Sequence, residues 1–438
     1  MDLEDKLRLL RKAARTRPKR ESIHKTWQEL EKNTELSTRE KLEKLIRLTR
    51  ETRPQKEAPV LVESPPREPL QVFENHFPLH IRYGSVSIAS GLKIKGKTLS
   101  LLSRDHCFDG LDLRTALFLD LETTGLSGGA GVVPFLIGLG YYGDEKFHVV
   151  QFFLGDLAAE ERLIRELRSF LAQMNFRSVV TFNGKAFDLP LLETRFVLHR
   201  ESLSLGGLPH LDFLFAARSL WGHKHESCRL SHLAHEVLGV ERGEDIPSAE
   251  IPFRYFQFLR SGDFGLVEPV LYHNQEDILS LLGIVAVGGG IFDEEMEGEI
   301  PFLCDGMDLF GASKILERTG EFERSALFIR RALEGKLSAE ISVLARKKLA
   351  GYFKHRREWE QAVRLWEEMT PLGQLFCFRE LAMYYEHREK DFEKARQLAE
   401  EGFILANGIS GSYARDFSRR LERLRKKLAR LKGGMGGT

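Results

Sequence analysis

The sequence predicts a mixed α/β domain in the middle of the chain and an all-helical domain after it. Strand-like apolar runs alternate with helical patterns from about residue 117 to residue 284, and only helical patterns follow. Four prolines between residues 58 and 70 indicate a linker that separates a charged N-terminal segment from the α/β domain. The 438 residues suit two or three domains. The predicted divisions are a charged helical segment with the proline-rich linker (1–70), the α/β domain (71–290), helical repeats (305–410) and a basic C-terminal helix or tail (411–438).

The order of elements predicts how the α/β domain is built. The predicted elements are three strands (117–122, 132–142, 147–153), a helix (158–174), a fourth strand (178–182) and a second helix (187–199). Gly143 and Asp144 form the hairpin turn between the second and third strands. Short apolar strands and glycine turns between residues 72 and 114 indicate a lead-in to this domain. The first strand is expected at the centre of the sheet, because both of its faces can then be covered while its end opens to a site.

The last third of the chain contains a degenerate helical repeat. The motif Trp359-Glu-Gln-Ala362 recurs 33 residues later as Phe392-Glu-Lys-Ala395, and a looser copy begins at Phe322. This motif and its period resemble the helix pairs of tetratricopeptide (TPR) repeats, which bury their apolar faces only by stacking on one another. Three copies predict a small solenoid, and a helical lid on the preceding domain is the alternative.

The charge distribution and the cysteines limit the class of protein. The net charge is +1, but both ends of the chain are basic. From Gly411 onward there are nine Lys or Arg and two acidic residues, and the first 70 residues contain 18 Lys or Arg and 13 acidic residues. Basic ends of this kind suit either nucleic-acid arms or solvated helices. Four scattered cysteines without a CxxC pair indicate free thiols in a reducing cytosol, which predicts a cytoplasmic location.

No segment of the sequence predicts contact with a membrane. The charged N-terminus lacks the apolar core of a signal peptide. The longest apolar run, residues 278–292, is about 15 residues long, whereas a membrane-spanning helix needs about 20. We therefore expect this run to be the buried end of a helix followed by a turn.

Four acidic residues in three short motifs carry the functional prediction. Asp120 and Glu122 lie in FLDLETTG, where the first predicted strand ends. Side chains two apart on a strand point to the same face, so both carboxylates enter one space. Asp188 lies in FNGKAFD at the start of a predicted helix, a position where an acid can also serve as a helix cap. Asp277 lies in HNQEDILSL.

His273 stands four residues before Asp277, so the two share one face of a helix. Histidine is suited to orienting or deprotonating a water molecule near neutral pH. Buried carboxylates that lie close together repel one another unless a positive charge sits between them. Four carboxylates without a cysteine ligand suit a hard divalent cation, Mg²⁺ or Mn²⁺.

Residues that flank the acids are candidates for substrate binding. Gly125 follows at the point where the strand must turn, and glycine allows a close backbone approach to a ligand. Leu126 could wedge against a terminal base. The candidate set is Thr123, Thr124, Gly125, Leu126, Asn183 and Tyr272.

The order DxE, NxxxFD and HxxxD resembles the DEDD exonuclease superfamily of the ribonuclease-H-like fold. More closely, residues from about 78 to 282 resemble the bacterial YprB-type ribonuclease-H-like domain, in the stretches FLDLETTGLSGGAG, VTFNGKAFDLPLLETR, HLDFLFAARSLW, CRLSHLAHEVLG and HNQEDILSL. The resemblance implies four metal-binding residues, Asp120, Glu122, Asp188 and Asp277. Superfamily members usually carry Tyr with three intervening residues, or His with four, before the last acid. This chain has His273 with three and Tyr272 just before it, so either could serve the water.

The resemblance implies hydrolysis of a phosphodiester with two metal ions, which clamp the attacking and leaving oxygens from about 3.5–4 Å apart. In this arrangement Asp120 bridges both ions, Glu122 and Asp277 complete the ion on the nucleophile side, and Asp188 holds the other. The leading hypothesis is a 3′→5′ exonuclease on single-stranded DNA or RNA. The alternatives are a ribonuclease-H-like endonuclease on structured nucleic acid and a catalytically silent scaffold. A repeat tail also suggests a protein partner.

Basic and histidine residues near the motifs are candidates for contact with phosphates. The basic candidates are Arg195, Arg200, Arg218, Lys224 and Arg229, and Phe182, Phe187 and Tyr272 are candidates for stacking on bases. A second cluster consists of His223, His225, Cys228, His232 and His235. Its spacing fits no familiar zinc finger, so structural roles or nucleic-acid contacts are favoured and zinc is the alternative.

Overall fold

A computed structural model describes residues 68–125, 131–243, 246–293 and 304–434 of the chain. The predicted helical segment before the proline-rich linker and the candidate wedge Leu126 lie outside these residues. Within them the architecture is a mixed sheet with helices on both faces, followed by an all-helical region, as the sequence predicts.

Six strands form the main sheet of the described residues. They are β1 (Leu70–Pro78), β4 (Ala116–Thr123), β5 (Pro134–Tyr142), β6 (Lys146–Leu154), β7 (Ser178–Thr181) and β8 (His210–Asp212), and a small separate ribbon pairs β2 (Arg82–Tyr83) with β3 (Val86–Ser87). Their spatial order in the main sheet is β1-β6-β5-β4-β7-β8. Strands β1, β6, β5 and β4 pair antiparallel, whereas β7 and β8 continue parallel to β4. Strand β4, which carries the first acids, is central as expected.

The lead-in region contributes more to the domain than short strands alone. Strand β1 pairs with β6 along its whole length and so forms one edge of the main sheet. A helix, α1 (Gly96–Ser103), was not predicted in this region. Its apolar residues Leu99, Leu101 and Leu102 are buried in the core, so tertiary packing outweighs the local glycine-turn signal.

Helices cover both faces of the sheet and create two cores. The remaining helices of this part are α2 (Glu160–Met174), α3 (Asp188–Leu198), α4 (Phe213–Trp221), α5 (Leu230–Leu238), α6 (Ile251–Ser261) and α7 (Glu268–Gly290). Leu117, Leu119 and Leu121 of β4 pack on one face with α2, α3 and α6. Phe118 packs on the other with α4, α5 and α7. Asp120 and Glu122 share the Phe118 face by strand alternation, which directs them toward α7.

Helix α7 is buried from Ile278 to its end, which confirms the prediction for the apolar run. Its glycines permit close neighbours: Gly283 lies against Leu238, and Gly288 lies against Phe213. None of the described helices is both long and apolar enough to cross a membrane.

The all-helical region consists of consecutive helices that share two further cores. They are α8 (Gly306–Arg318), α9 (Phe322–Glu334), α10 (Ala339–His355), α11 (Trp359–Met369), α12 (Leu375–Tyr384), α13 (Phe392–Ala406) and α14 (Gly411–Gly434). The repeated motifs begin α9, α11 and α13, and Ala326, Ala362 and Ala395 are buried where neighbouring helices meet. The tetratricopeptide assignment itself stays a prediction.

The all-helical region contacts the α/β part through α4 and α8. Gly311 of α8 lies against the backbone of Leu220, with no room for a side chain. His223 donates a hydrogen bond from Nε2 to the carbonyl oxygen of Met307 (2.8 Å), and Lys314 donates to its Nδ1 (3.0 Å). Burial and the nearby charge of Lys314 together lower the pKa of His223 to about 4, so this imidazole is neutral at pH 7.

These contacts give one member of the histidine cluster a structural role. Within the described residues no three His, Cys, Asp or Glu side chains form a group that could hold an ion, and this includes the cluster. Both ring nitrogens of His223 are engaged by Met307 and Lys314, which supports the structural alternative for this residue.

A buried carboxylate fixes the C-terminal helix α14. Glu386 lies in the π-helical turn Tyr385–Glu389 that follows α12. Its oxygens accept hydrogen bonds from Arg420 (2.7 Å), Arg423 (2.7 Å) and Lys427 (2.9 Å), all on α14. Burial by itself would raise the pKa of Glu386, but these hydrogen bonds and charges outweigh it and lower the pKa to about 2.

We expect Glu386→Gln to lower the free energy of unfolding by about 3 kcal/mol at pH 7, because it leaves three cations around a neutral group. The pKa of Glu386 is lower in the folded state than its ordinary value of 4.5. Its stabilising contribution is therefore complete above about pH 4.5 and declines as the pH falls toward 2. Urea denaturation of both proteins at pH 7 and pH 3 measures the difference.

Glu422→Gln is the matched control for this measurement. Glu422 lies on the same helix and pairs with Lys426, but both side chains are largely exposed. Exposed pairs contribute at most about 1 kcal/mol. Equal losses for the two variants would contradict a special role for Glu386.

Candidate functional site

One cavity gathers the acids of all three motifs. It has a volume of about 440 Å³, and its lining includes Asp120, Glu122, Asp188, His273 and Asp277. These residues come from β4, the start of α3 and the middle of α7. The fold thus brings together side chains that lie up to 157 positions apart, the separation between Asp120 and Asp277.

Asp120 is oriented by a chain of buried amides. Asn274 of α7 donates from Nδ2 to Oδ2 of Asp120 (2.7 Å). Gln151 of β6 donates in turn to Oδ1 of Asn274 (2.8 Å) and to the carbonyl oxygen of Leu271 (2.8 Å). Because Asn274 and Gln151 are both buried, the chain fixes the position of the Asp120 carboxylate.

A glycine opposite Asp120 makes this contact possible. Gly138 of β5 is the register partner of Asp120. A Cβ atom at Gly138 would overlap Oδ1 of Asn274 and lie 2.7 Å from Cδ1 of Ile278. The absence of a side chain at this strand position therefore lets α7 approach the sheet closely.

The strand end after Glu122 is held by threonine hydroxyls. A register irregularity lies between Glu122 and Thr123. Thr123 donates from Oγ1 to the carbonyl oxygen of Gly125 (2.7 Å), and Thr124 accepts from the backbone N–H of Val133 (3.0 Å). Thr123 and Gly125 line the cavity, whereas Thr124 contributes to the turn.

Asp188 is the first residue of α3 and turns back toward β4. Its carboxylate accepts hydrogen bonds from its own N–H and from that of Leu121. Asp212 caps α4 through the N–H of Leu214 (3.2 Å). It also accepts from the backbone N–H of Asn183 (2.7 Å) and of Lys185 (3.1 Å), so it anchors the loop that leads to Asp188.

His273 and Asp277 meet on one face of α7, and an arginine that the sequence did not indicate joins them. Nε2 of His273 lies 3.3 Å from Oδ2 of Asp277 and 3.7 Å from Oε1 of Glu122. Nη1 of Arg242 lies 2.5 Å from Oδ1 of Asp277. Arg242 also donates to Oγ of Ser280 (2.6 Å), which holds the guanidinium beside the acid.

The carboxylates of the cavity differ in electrostatic environment. Burial raises the pKa of Asp120 well above its usual value, and the charges of Asp277, Glu122 and Asp188 raise it further. Burial also raises the pKa of Asp188, to about 7. For Asp277 burial acts in the same direction, but the hydrogen bond from His273 and the charge of Arg242 outweigh it and lower the pKa. The repulsion among the acids therefore raises mainly the pKa of Asp120.

The donor set of the cavity suits a hard cation, although the carboxylates do not converge in this conformation. Among the described residues no three potential ligands form a group close enough to hold an ion. One oxygen of Asp277 faces Arg242, and one oxygen of Asp120 accepts from Asn274. Four carboxylates without thiolates are the ligands that Mg²⁺ and Mn²⁺ prefer, and a cation would relieve the repulsion that raises the pKa of Asp120.

The remaining candidate residues occupy different positions. Tyr272 is 54% exposed and is not among the described residues that line the cavity, whereas His273 is 7% exposed and lines it. Phe187 is 51% exposed and lines the cavity as well. Asn183 and Phe182 line a neighbouring cavity.

Two of the five basic candidates were wrong. Arg195 is buried and forms an ion pair with Glu160. Lys224 forms ion pairs with Asp305 (3.0 Å) and Asp308 (2.9 Å) of the all-helical region. Both cations therefore serve the internal structure, because their carboxylate partners belong to distant parts of the chain that the local sequence does not indicate.

The sequence interpretation missed Arg242, Asn274, Gln151 and Gly138. Asn274 stands between His273 and Asp277, but an asparagine on a helix has no distinctive pattern. The spacing of Gly138 and Gly140 was a usable signal. Two glycines on one face of an apolar strand indicate that another segment of backbone packs closely against that face. Arg242 lies in a loop and carried no signal.

We expect Gly138→Ala to lower the free energy of unfolding by about 1–3 kcal/mol, because the added methyl group forces α7 away from the sheet. The contact between Asn274 and Asp120 should weaken with it. Chemical denaturation measures the loss, and Gly110→Ala is the control, since a Cβ at Gly110 meets nothing within 4 Å. A Gly138→Ala protein as stable as the control would contradict the close approach.

A match to a known superfamily agrees with the fold. The RNase_H superfamily model matches residues 117–287, the span that holds all four acids. In the solved structures, the chain is similar to the family B DNA polymerase from the hyperthermophilic archaeon Pyrobaculum calidifontis. That likeness has 14% identity and a TM-score of 0.34 over 53% of this chain and 28% of the polymerase chain, which is too weak to bear on function.

A relative covers most of the chain. The uncharacterized protein YprB of Bacillus subtilis (strain 168) is 32% identical over an alignment of 363 residues, which covers 81% of this chain and 85% of that protein. The chain therefore belongs to the same family as YprB, and its α/β domain is of the RNase H superfamily.

Proposed function

We propose that the protein is a metal-dependent nuclease, most specifically a 3′→5′ exonuclease that hydrolyses single-stranded DNA or RNA. The observation that carries the proposal is the single cavity lined by Asp120, Glu122, Asp188, Asp277 and His273. Membership of the RNase H superfamily over the same residues supports a reaction on nucleic acid.

The four carboxylates are the proposed ligands of two divalent cations, Mg²⁺ or Mn²⁺. When bound, such ions supply positive charge to a phosphodiester and activate a water molecule. Asn274 keeps one Asp120 oxygen oriented by its hydrogen bond. One oxygen of Asp277 lies against Arg242, so Arg242 is positioned to balance the charge of this acid when no cation is bound.

His273 is the proposed group that orients or deprotonates the attacking water. Its Nε2 faces Glu122 and Asp277 inside the cavity. A general base needs to lie within hydrogen-bond reach of the water it serves. The more exposed Tyr272 is the alternative for this role.

The shape and lining of the cavity support the binding of one end of a strand. Beyond the acids, the wall is mainly apolar and includes Val132, Phe187, Leu191 and Pro252. The volume of about 440 Å³ lies within the range of small-molecule sites, about 300–1,000 Å³. The exposed ring of Phe187 is positioned to stack on a base, an interaction of about 1–3 kcal/mol.

Two other functions remain candidates. A ribonuclease-H-like endonuclease would cleave a circular single strand, which an exonuclease cannot use. A silent scaffold would bind nucleic acid, or a protein through the TPR-like helices, without cleavage. The presence of all four acids in one cavity favours catalysis over the silent alternative.

We expect Asp120→Asn to lower the cleavage rate by more than about 100-fold, since even partners of metal ligands contribute 10–100-fold. Binding of a single strand should be largely retained. The assay is a gel series in which end-labelled single- and double-stranded DNA and RNA are incubated with Mg²⁺, Mn²⁺ or EDTA, and a circular single strand is included. The product ladder gives polarity, sugar preference and metal dependence together.

Asp144→Asn is the control for this substitution, because Asp144 lies exposed in the hairpin turn between β5 and β6. Its activity should equal that of the wild-type protein. Full activity of Asp120→Asn, or equal activity with EDTA and with Mg²⁺, would refute the proposal.

His273→Ala is expected to reduce kcat by about 10²–10⁴-fold if His273 is the general base. Tyr272→Phe should reduce it far less, because this ring lies outside the cavity. Single-turnover kinetics with saturating enzyme separates this step from binding. The opposite ranking of the two variants would assign the role to Tyr272.

A further inference from the structure

We infer that the substrate strand continues from the catalytic cavity into a polar groove beside α5, where Arg218 and Arg229 bind its phosphates. This inference rests on the proposed function, since it assigns a path to the nucleic acid that the nuclease would cleave. We call this path the α5 groove. It consists of two cavities of about 590 Å³ and 570 Å³ that follow the catalytic cavity.

The three cavities are adjacent, because each shares lining residues with the next. Ser248, His273 and Asp277 line both the catalytic cavity and the first groove cavity. The first groove cavity shares Ser227, Arg229 and Ser231 with the second. Together they mark out a path from the outer end of the groove to the acids.

The lining changes in character along this path. The catalytic cavity has a mainly apolar wall, whereas the groove presents hydroxyl and guanidinium groups from Ser227, Ser231, Arg218 and Arg229. Apolar walls suit bases and sugars, and hydrogen-bond donors suit phosphate oxygens. The change fits one nucleotide held in the catalytic cavity and a backbone held in the groove.

Arg218 and Arg229 are exposed, and neither forms an ion pair with a carboxylate in the described part of the chain. Other exposed arginines are neutralised, such as Arg162 by Glu166 and Arg165 by Glu161. Of the five basic residues that the sequence suggested, only these two line the groove in the described structure. Their charges are therefore available to phosphates.

The start of α5 adds donors to the same wall. Arg229 is the N-cap residue of this nine-residue helix and makes no capping hydrogen bond with its side chain, and the first turn has no acidic residue. Backbone N–H groups at such a helix end favour anions. Glu226 and Glu241 also line the groove, and Arg242 in its second cavity is paired with Asp277. The affinity of the groove for phosphates therefore depends on Arg218 and Arg229 rather than on a uniformly basic surface.

The test compares Arg218→Gln/Arg229→Gln with the charge-matched control Arg162→Gln/Arg165→Gln on α2, each made in the Asp120→Asn background. Fluorescence anisotropy with a labelled 20-nucleotide single strand at 50–200 mM salt gives affinity and salt dependence. We expect the groove variant to bind about 10-fold more weakly, and its salt slope to fall by about 1.4, or 0.7 for each lost phosphate contact. The control variant should match its parent.

A second readout is the KM for cleavage, measured with the same two double substitutions in the otherwise wild-type chain. The increase in KM should be larger for a 20-nucleotide strand than for a trinucleotide, because the short substrate leaves most of the groove empty. Thermal unfolding of each variant confirms that the fold is retained.

Equal affinities of groove and control variants, or equal increases in KM at both lengths, would overturn the inference. Absence of cleavage by the wild-type protein with every cation would count against the proposed nuclease instead. The anisotropy comparison requires no turnover, so it still decides whether the groove binds a strand.

Discussion

The close approach of α7 to the centre of the sheet is the contact on which the candidate site depends. Helix α7 lies over β4 and β5, where Gly138 and Gly140 leave no side chains between the backbone and Asn274 or Ile278. At this distance one helix supplies the amide that orients Asp120 and also supplies His273 and Asp277. A wider separation would keep the sheet intact but would disperse the carboxylates, so the packing of small residues has a direct chemical consequence.

Gathering carboxylates in a buried cavity is unfavourable, and the surrounding residues limit that cost. Arg242 and His273 place positive or hydrogen-bonding groups on Asp277, and backbone N–H groups contact Asp188. Asp120 accepts a hydrogen bond from the amide of Asn274 and retains a raised pKa. Neither Asp120 nor Asp188 is paired with a cationic side chain among the described residues, but Asp120 carries the repulsion of three other acids, so a bound cation would lower the energy most beside Asp120.

The all-helical region is joined to the α/β part by specific polar contacts rather than by chain connection alone. Met307 and Asp308 at the start of α8 bond to His223 and Lys224. The same segment of chain, from His223 to His235, continues into the wall of the α5 groove. The packed helices therefore hold one end of this segment, and its other end faces the proposed substrate path. The position of the all-helical region is thus coupled to the position of the groove wall.

The sequence by itself determined the alternation of strands and helices, the central position of β4 and the motifs that carry the acids. These features follow from local periodicity and from the order of elements along the chain. Only the tertiary structure decided which cations stand beside the acids. Arg242 in a loop, Arg195 paired with Glu160 and Lys224 paired with Asp308 depend on contacts between distant segments. Two charged groups interact when they lie close together in space, and no local pattern of residues encodes that proximity.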